Sequence, residues 1–276
     1  MKQLKFLMVA FTLLMGVSFT SCLNDDAGES MYDGIGYVRT VMGSYFVDLY
    51  GNTYHPTMAS VTEMEAQGFK MSGTDLAQIA FKYVEDTPAT KAEGGTFTPQ
   101  DYRIKLVSAI AVDSYSTRYA SSVEDMETIP ETAPIVTLEP TDNYGQTYKP
   151  WMYGAEMLVL PISWKMENME NKENKEEMLK QHTMELVYIN DESNESSTEL
   201  VFYLRHNKGT DTKTDVFAVR NKAYDVKQIM SDFKGKHGSY PTTIRIKAKT
   251  DMDGAKLPEK YTDYTIENFK WNPSNQ

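Results

Sequence analysis

The feature that most constrains this chain is a succession of short segments rich in β-branched and aromatic residues, with turn-forming residues between them. IGYVRTV (35–41) and SYFVDLY (44–50) are two of these segments, and Met42-Gly43 between them is a hairpin signal. Such residues pack well on a pleated, half-buried surface, so they favour strands over helices. The pattern continues along the chain and predicts an all-β fold.

The N-terminal group holds about five such segments in about 80 residues. After the first two come a segment beginning Thr53-Tyr54-His55, then FKMSG (69–73), LAQIAFKYVE (76–85) and YRIKLVSAIAV (102–112). Five strands over this length are compatible with a small Greek-key barrel of the oligonucleotide/oligosaccharide-binding (OB) type, which the count does not uniquely imply. Residues 86–101 are rich in Pro, Gly and Thr and are predicted to be an exposed loop.

The C-terminal group holds seven or so segments over about 150 residues. They are PIVTLEP (134–140), EMLVLPISWKM (156–166), TMELVYIN (183–190), TELVFYLRHN (198–207), TDVFAVR (214–220), TTIRIKAK (242–249) and YTDYTIENFKW (261–271). This number of strands suggests a β-sandwich. One short helix is predicted over 224–234, where apolar residues recur at helical spacing and Asp225 is an N-cap candidate.

The segment 165–182 (KMENMENKENKEEMLKQH) has alternating charge and almost no apolar side chains before Met178 and Leu179. This composition favours a solvated hairpin loop with some helical content. A partner-binding element is the alternative.

The length and one change in composition predict two domains. About 255 residues follow the N-terminal apolar segment, more than one small core normally serves. Between the two groups of strands, residues 114–133 are acidic and poor in apolar side chains. We therefore predict an OB-type domain over 34–115, a linker over 116–133 and a β-sandwich domain over 134–276.

Residues 1–21 have the three zones of a secretory signal peptide. Lys2 and Lys5 are followed by an apolar run over 6–17, and the small residues Ser18, Thr20 and Ser21 follow. The apolar run has about a dozen residues, whereas a transmembrane helix needs about 20. The pattern therefore favours a cleaved signal over a transmembrane anchor.

Cys22, the only cysteine in the chain, directly follows this signal. Phe19-Thr20-Ser21-Cys22 resembles a lipobox, the recognition site of bacterial lipoprotein processing. The resemblance implies a thioether-linked diacylglycerol on Cys22 and a third acyl chain on its amine, and two or more chains anchor a protein stably to a membrane. The alternative is an unpaired thiol near a signal. No intramolecular disulfide is possible, so packing must stabilise the fold.

Residues 22–33 are then the lipidated cysteine and an acidic tether. Asp25 and Asp26 resemble the surface-export signal of some Gram-negative lipoproteins, or they belong to a merely solvated linker. Without residues 1–21, which contain two lysines and no acids, the chain has 26 basic and 39 acidic residues and a formal charge of −13. A surface of this charge repels nucleic acid, so we expect no nucleic-acid partner.

No motif for catalysis, metal binding or a cofactor is found in the sequence. The four histidines, at positions 55, 182, 206 and 237, form no H-E-x-x-H or H-x-H arrangement. Serine forms no G-x-S-x-G elbow, and the glycines form no nucleotide-binding loop. We therefore expect no cofactor, no metal and no catalytic residue. The alternative is a glycan-active enzyme that uses loop carboxylates, because glycosidases need two such groups at a set separation.

Aromatic residues are the more suggestive class. YGQTYKPWMYG (144–154) concentrates aromatic side chains among glycines and a proline, outside a clean strand pattern. Aromatic faces stack on sugar rings or anchor protein interfaces. Tyr148, Trp151 and Tyr153 are therefore the candidate binding residues, and a purely structural corner is the alternative.

Several stretches together resemble the NigD-like lipoproteins. They are GSYFVDLYGNTYHPT (43–57), LEPTDNYGQTYKPWM (138–152), ELVFYLRHNKGTDTKTDVFAVRNKAYDV (199–226) and LPEKYTDYTIENFKW (257–271), together with the signal ending in Ser21-Cys22. The resemblance implies an N-terminal OB-type domain, a C-terminal β-sandwich and lipid attachment in the outer membrane of a Gram-negative bacterium. The family is named after a bacteriocin gene cluster, and an immunity role has been suggested for it. It defines no catalytic or ligand residues to carry over.

From these observations we expect a non-catalytic lipoprotein of the outer membrane, either facing inward or exposed on the cell surface. Its two β domains would bind another envelope protein, a bacteriocin or a glycan.

Overall fold

The computed structural model of this protein describes residues 31–84, 99–169, 171–190 and 196–270. These residues form two compact units, which meet in the chain between Ser114 and Tyr115. The predicted signal peptide, the lipidation site Cys22 and most of the tether lie outside the described residues. None of the helices in the described ranges is long and apolar enough to cross a membrane.

The first unit contains five strands and one helix. They are β1 (Gly34–Val41), β2 (Tyr45–Val47), β3 (Thr53–Pro56), α1 (Met58–Ala66), β4 (Leu76–Tyr83) and β5 (Asp101–Ser116), whose last two residues lie past the unit boundary. β1 pairs with β2 and β4, β2 with β3, and β4 with β5, all antiparallel. A parallel pairing between β3 and β5 closes the sheet into a barrel. The predicted OB-type barrel is therefore confirmed.

Alternation along the strands fills the interior of the barrel. On β5, Tyr102, Ile104 and Leu106 are buried while the residues between them are exposed. This is the period of two expected of a strand with one face on a core. The segment 69–73, predicted to be extended, is not a strand: it lies in turns, and Phe69 and Met71 point into the barrel core.

Helix α1 is not predicted from the sequence. Its N-terminus is capped by Thr57, whose hydroxyl accepts the backbone N–H of Ser60. Only Ser60 and Met64 of the helix are buried, and Met58 is 80% exposed. The helix therefore lacks the apolar stripe that reveals a helix in a sequence.

The second unit contains eight strands and three helices among the described residues. They are β6 (Arg118–Ala120), α2 (Val123–Glu127), β7 (Trp151–Tyr153), β8 (Met157–Met166), α3 (Lys172–Gln181), β9 (Thr183–Ile189), β10 (Glu199–Asn207), β11 (Val216–Asp225), α4 (Lys227–His237), β12 (Thr243–Ala248) and β13 (Thr262–Ile266). One sheet has the order β11-β8-β7 and the other β13-β12-β10-β9-β6. Trp164 and Tyr224 of the first sheet share one core with Phe202 and Ile246 of the second. The predicted sandwich is confirmed.

The predicted helix is present but begins later than expected. Tyr224 and Asp225 still belong to β11, and Asp225 Oδ1 accepts the backbone N–H of Lys227, the first residue of α4. Ile229, Met230 and Phe233 cover the sandwich core. The second unit also contains the helices α2 and α3 besides this predicted one. Helix α3 supplies the helical content expected within the charged segment 165–182.

Two further expectations are corrected. Residues 134–140, predicted to be a strand, form only isolated bridges from Ile135 and Thr137, although Ile135 and Leu138 are buried. Residues 116–133, predicted to be a linker, contain β6 and α2. Met126 and Ile129 there pack with Ala120 and Val187. A few buried side chains among many acids are enough to fix this segment to the sandwich.

Candidate functional site

A nine-residue motif, D-x-Y-G-x-T-Y-x-P, occurs once in each unit. The first copy spans 48–56 and connects β2 with β3, and the second spans 142–150 and precedes β7. The two turns are named here the barrel turn (48–56) and the sandwich turn (142–150).

The barrel turn is organised by Asp48. Its Oδ1 accepts the backbone N–H groups of Tyr50 at 2.8 Å and Asn52 at 3.0 Å. Its Oδ2 accepts the side-chain amide of Asn52 at 2.8 Å and the hydroxyl of Tyr54 at 2.9 Å. Burial, together with the Asp48 charge, raises the pKa of Tyr54, so this hydroxyl keeps its proton and remains a donor.

The sandwich turn repeats this geometry around Asp142. Its Oδ1 accepts the backbone N–H groups of Tyr144 at 2.8 Å and Gln146 at 3.0 Å. Its Oδ2 accepts the hydroxyl of Tyr148 at 3.1 Å. The backbone N–H of Asp142 donates to the carbonyl of Gln146 at 2.9 Å, as that of Asp48 does to Asn52 at 3.1 Å. One carboxylate therefore fixes the whole loop in both units.

Glycine is required at the fourth motif position. Gly51 and Gly145 have φ values of +81° and +83°, a left-handed conformation that side chains with a Cβ rarely adopt. No atom lies within 4 Å of a Cβ built on Gly145, so only the backbone conformation opposes a larger residue there.

Replacing Gly145 with Ala is therefore expected to lower the free energy of unfolding by about 1–2 kcal/mol. Gly36→Ala is the matched control, because that position is equally open and has no positive φ. The control should be neutral or slightly stabilising. Denaturant unfolding of both variants measures the difference, and equal effects would contradict a conformational role for Gly145.

The turns hold one tyrosine outward in each copy. Tyr50 is 58% exposed and Tyr144 is 75% exposed. The backbone of each is held by an aspartate two residues earlier and a glycine one residue later. Each turn therefore presents an aromatic ring on a rigid loop, which is the property of a contact residue that loses little entropy on binding.

The structure shows contacts of the sequence-predicted binding residues within the corner itself. Tyr153 is buried, at 3% exposed. Tyr148 uses its hydroxyl on Asp142. Trp151 is half-buried and packs edge-on against Tyr153, with ring centroids 6.2 Å apart. These three residues support the corner, whereas Tyr144, which the same segment contains, is the exposed one.

Catalysis needs groups that a substrate can reach. The closest His–carboxylate pair in the described part of the chain is His182 and Asp211, 2.9 Å apart, but their side chains are only 1% and 0% exposed. This pair is sealed from any substrate. The described residues contain no group of three or more His, Cys, Asp or Glu side chains placed to hold a metal ion.

Strand patterns dominate the sequence and do not mark these turns. The available signal was the internal repeat itself, since D-x-Y-G-x-T-Y-x-P stands in both units. The shared aspartate and glycine are the residues that turn chemistry demands. A comparison of the two segments would have identified Tyr50 and Tyr144.

No family model matches this chain, and no curated protein matches it. A solved structure of a candidate lipoprotein from Bacteroides fragilis NCTC 9343 is similar to it, with a TM-score of 0.64 and 22% sequence identity over 86% of this chain and 97% of that one. A protein of unknown function from Bacteroides vulgatus ATCC 8482 has a TM-score of 0.50 and 10% identity over 88% and 96% of the two chains.

A NigD-like immunity protein from Bacteroides caccae ATCC 43185 has a TM-score of 0.44 and 11% identity over 83% of this chain and 91% of that one. That TM-score is too low to support an argument. The likeness to the other two proteins concerns the fold. This chain therefore has the two-unit all-β fold, a barrel followed by a sandwich, that its resemblance to the NigD-like lipoproteins implies.

Proposed function

We propose that this protein is a non-catalytic, lipid-anchored component of the outer membrane that binds a basic protein through an exposed tyrosine of each unit, Tyr50 in the first and Tyr144 in the second. The observation that carries the proposal is the repeated turn, in which one aspartate fixes a loop that presents an exposed tyrosine in each unit. Lipid attachment through Cys22 rests on the lipobox-like segment and agrees with the name of the similar Bacteroides fragilis protein.

Tyrosine suits protein recognition because it supplies a large amphipathic contact with few rotatable bonds. Such residues dominate the binding energy of many interfaces. The rigid turns add to this, since the backbone that carries each ring is held in place before the partner arrives. Exposed aromatic residues of this kind therefore support a binding role.

The charge of the chain selects the class of partner. Without residues 1–21 the chain has a formal charge of −13. A charge of this size attracts basic proteins and slows the approach of acidic polymers. A bacteriocin is one kind of basic partner to test, because the family that the chain resembles takes its name from a bacteriocin gene cluster.

The test is photo-cross-linking in intact cells with wild type and the double variant Tyr50→Ala/Tyr144→Ala. We expect wild type to capture a basic protein. The double variant should bind that protein about tenfold or more weakly, which corresponds to a loss of at least about 1.4 kcal/mol of binding free energy for the two tyrosines together. Tyr119→Ala is the matched control, because Tyr119 is 48% exposed and lies outside both turns. Cys22→Ala tests whether capture requires the anchor.

Equal capture by wild type and the double variant would reject both turns as binding elements. Loss of binding to a neutral polysaccharide instead of a protein, in the same double variant, would keep the two tyrosines as contact residues and overturn the partner class. Turnover of a polysaccharide by wild type would overturn the non-catalytic assignment.

A further inference from the structure

A buried chain of hydrogen bonds crosses one end of the sandwich. His206 Nδ1 lies 2.9 Å from the carbonyl oxygen of Pro134, His206 Nε2 lies 2.9 Å from His182 Nδ1, and His182 Nε2 lies 2.9 Å from Asp211 Oδ2. His182, His206 and Asp211 are each 2% exposed. The ring of Trp164 packs against both imidazoles, with centroids 6.0 and 6.5 Å away, so solvent cannot replace any of these contacts.

The two ends of this chain are groups that only accept hydrogen bonds. A carbonyl oxygen accepts, so His206 Nδ1 must carry a hydrogen. If His206 is neutral, its Nε2 is then an acceptor and His182 Nδ1 must donate to it. His182 Nε2 faces an oxygen of Asp211, and an ionised carboxylate also only accepts.

Three hydrogen bonds therefore require three protons, whereas two neutral imidazoles and an ionised carboxylate supply two. Reversing the direction of the central bond does not change this count, because His206 must then carry hydrogens on both nitrogens. Without the third proton, two acceptor atoms would face each other at 2.9 Å inside the core, and an unsatisfied buried polar contact is costly.

Other contacts place the proton between His182 and Asp211. Burial lowers the pKa of His206 to about 3, so this ring takes no second proton near neutrality. Burial pushes the pKa of Asp211 upward, but backbone N–H donors from Lys213 and Glu167 and the contact with His182 lower it overall. Burial lowers the pKa of His182, and the hydrogen bond and charge of Asp211 offset only part of this. It is therefore the count of hydrogen bonds that requires the proton.

The surrounding charges make the proton removable. Lys208 and Lys222 are the cations that disfavour an additional positive charge on the two histidines. Asp211 is the anion that favours it, and His182 and Asp211 therefore titrate as one unit.

We propose that the cluster of Asp211, His182 and His206 holds one additional proton, beyond the two N–H hydrogens of two neutral imidazoles beside an ionised carboxylate. This proton locks the loop 208–213 onto the sandwich. Asp211 is the centre of the lock, because its carboxylate also accepts the backbone N–H of Glu167 at the end of β8 and of Lys213. The lock joins this loop to the start of β9, to β10 and to residue 134. It opens when the pH rises and the proton leaves.

The dependence on pH has two limbs. Unfolded histidines have a pKa of about 6.5. Below that pH the unfolded chain binds more protons than the folded cluster, so stability rises with pH. Above it the three hydrogen bonds still require a proton that the unfolded chain has lost, against the lowering of the His182 pKa by burial. In that range stability falls as the pH rises through the folded pKa of the pair. The contribution of the cluster is therefore largest near neutral pH.

The direct test is nitrogen NMR of the full chain, labelled with ¹⁵N-histidine, in detergent micelles. At neutral pH we expect His182 to show hydrogens on both ring nitrogens and His206 to show one hydrogen, on Nδ1. Raising the pH should convert His182 to a neutral ring and, in the same range, increase amide hydrogen exchange in the loop 208–213 beyond the intrinsic effect of pH. A neutral His182 at neutral pH, or a loop whose protection does not follow His182, would overturn the proposal.

Asp211→Asn tests the role of the carboxylate charge. The oxygen that faces His182 also accepts the backbone N–H of Glu167, so an asparagine oxygen is expected to keep this position, while the anion that favours the third proton is lost. His182 should then lose its second hydrogen at a lower pH than in wild type. Asp101→Asn is the matched control, since Asp101 contacts the exposed His55 at 3.2 Å in the same chain. The control should leave the His182 signals unchanged. A variant in which His182 loses its proton in the same pH range as in wild type would contradict the role of Asp211, and the wild-type spectrum decides the question alone if Asp211→Asn does not fold.

Discussion

Replacing Arg205 with Met is expected to lower the free energy of unfolding of the second unit by about 3–5 kcal/mol. Arg205 Nη1 lies 3.3 Å from Glu131 Oε2, and the side chains are only 6% and 3% exposed. Lys249 Nζ lies 3.2 Å from the same oxygen, and Arg205 Nε donates to the carbonyl of Ile129 at 3.0 Å. Removing the arginine leaves a buried carboxylate with one cation and a buried carbonyl without its donor.

Denaturant unfolding measures this loss, and two variants separate its causes. Arg245→Met removes a more exposed arginine, whose side chain is 35% exposed and pairs with Glu199 and Asp263, and should cost about 1 kcal/mol or less. Adding Glu131→Gln to Arg205→Met removes the stranded charge and should restore part of the stability. Similar losses of unfolding free energy for Arg205→Met and Arg245→Met would mean that the burial of the Arg205–Glu131 pair does not determine its contribution to stability.

Replacing Phe46 with Ala is expected to cost about 3–5 kcal/mol in the first unit, because it removes a large side chain from a packed core and leaves a cavity. Phe46 is 0% exposed, lies on β2 between Thr40 of β1 and Tyr54 of β3, and packs against Phe69 with ring centroids 6.5 Å apart. The narrow core of a five-stranded barrel offers few side chains that could move into the space.

Hydrogen exchange under native conditions localises this effect. Amides of β1 to β4 should lose protection, while those of β8 to β12 should keep theirs, because each unit has its own core. Met42→Ala is the control, since Met42 is 91% exposed in the neighbouring turn and its truncation should change stability by about 0.5 kcal/mol or less. Equal losses of protection in both units would show that the cores are not separate.

The strands were the most predictable part of this protein. Tyr102, Ile104 and Leu106 alternate with exposed residues, and this period of two is visible in the sequence and reappears in the barrel. Alternation is a local property, because successive side chains of a strand point to opposite faces whatever lies beyond them. The division into a barrel and a sandwich followed from the number and spacing of such segments.

Segments whose role depends on distant partners were not predictable in the same way. Residues 116–133 contain many acids, and distant contacts attach them to the sandwich, among them those of Met126 and Ile129 with Val187 and of Glu131 with Arg205. Helix α1 is held by a cap and by one buried methionine, Met64, without an amphipathic pattern.

The two candidate sites also differ in whether they depend on near or distant parts of the chain. The sequence by itself determined the two tyrosine-bearing turns, because an aspartate, a glycine and a tyrosine at fixed spacing contain all the groups that bond to one another within each loop. Only the tertiary structure decided the buried proton site. His182 lies 24 residues from His206 and 29 from Asp211 along the chain, and each histidine taken alone resembles an ordinary polar residue. Turn chemistry acts between near neighbours, whereas a buried hydrogen-bond chain exists only after the strands have paired and packed.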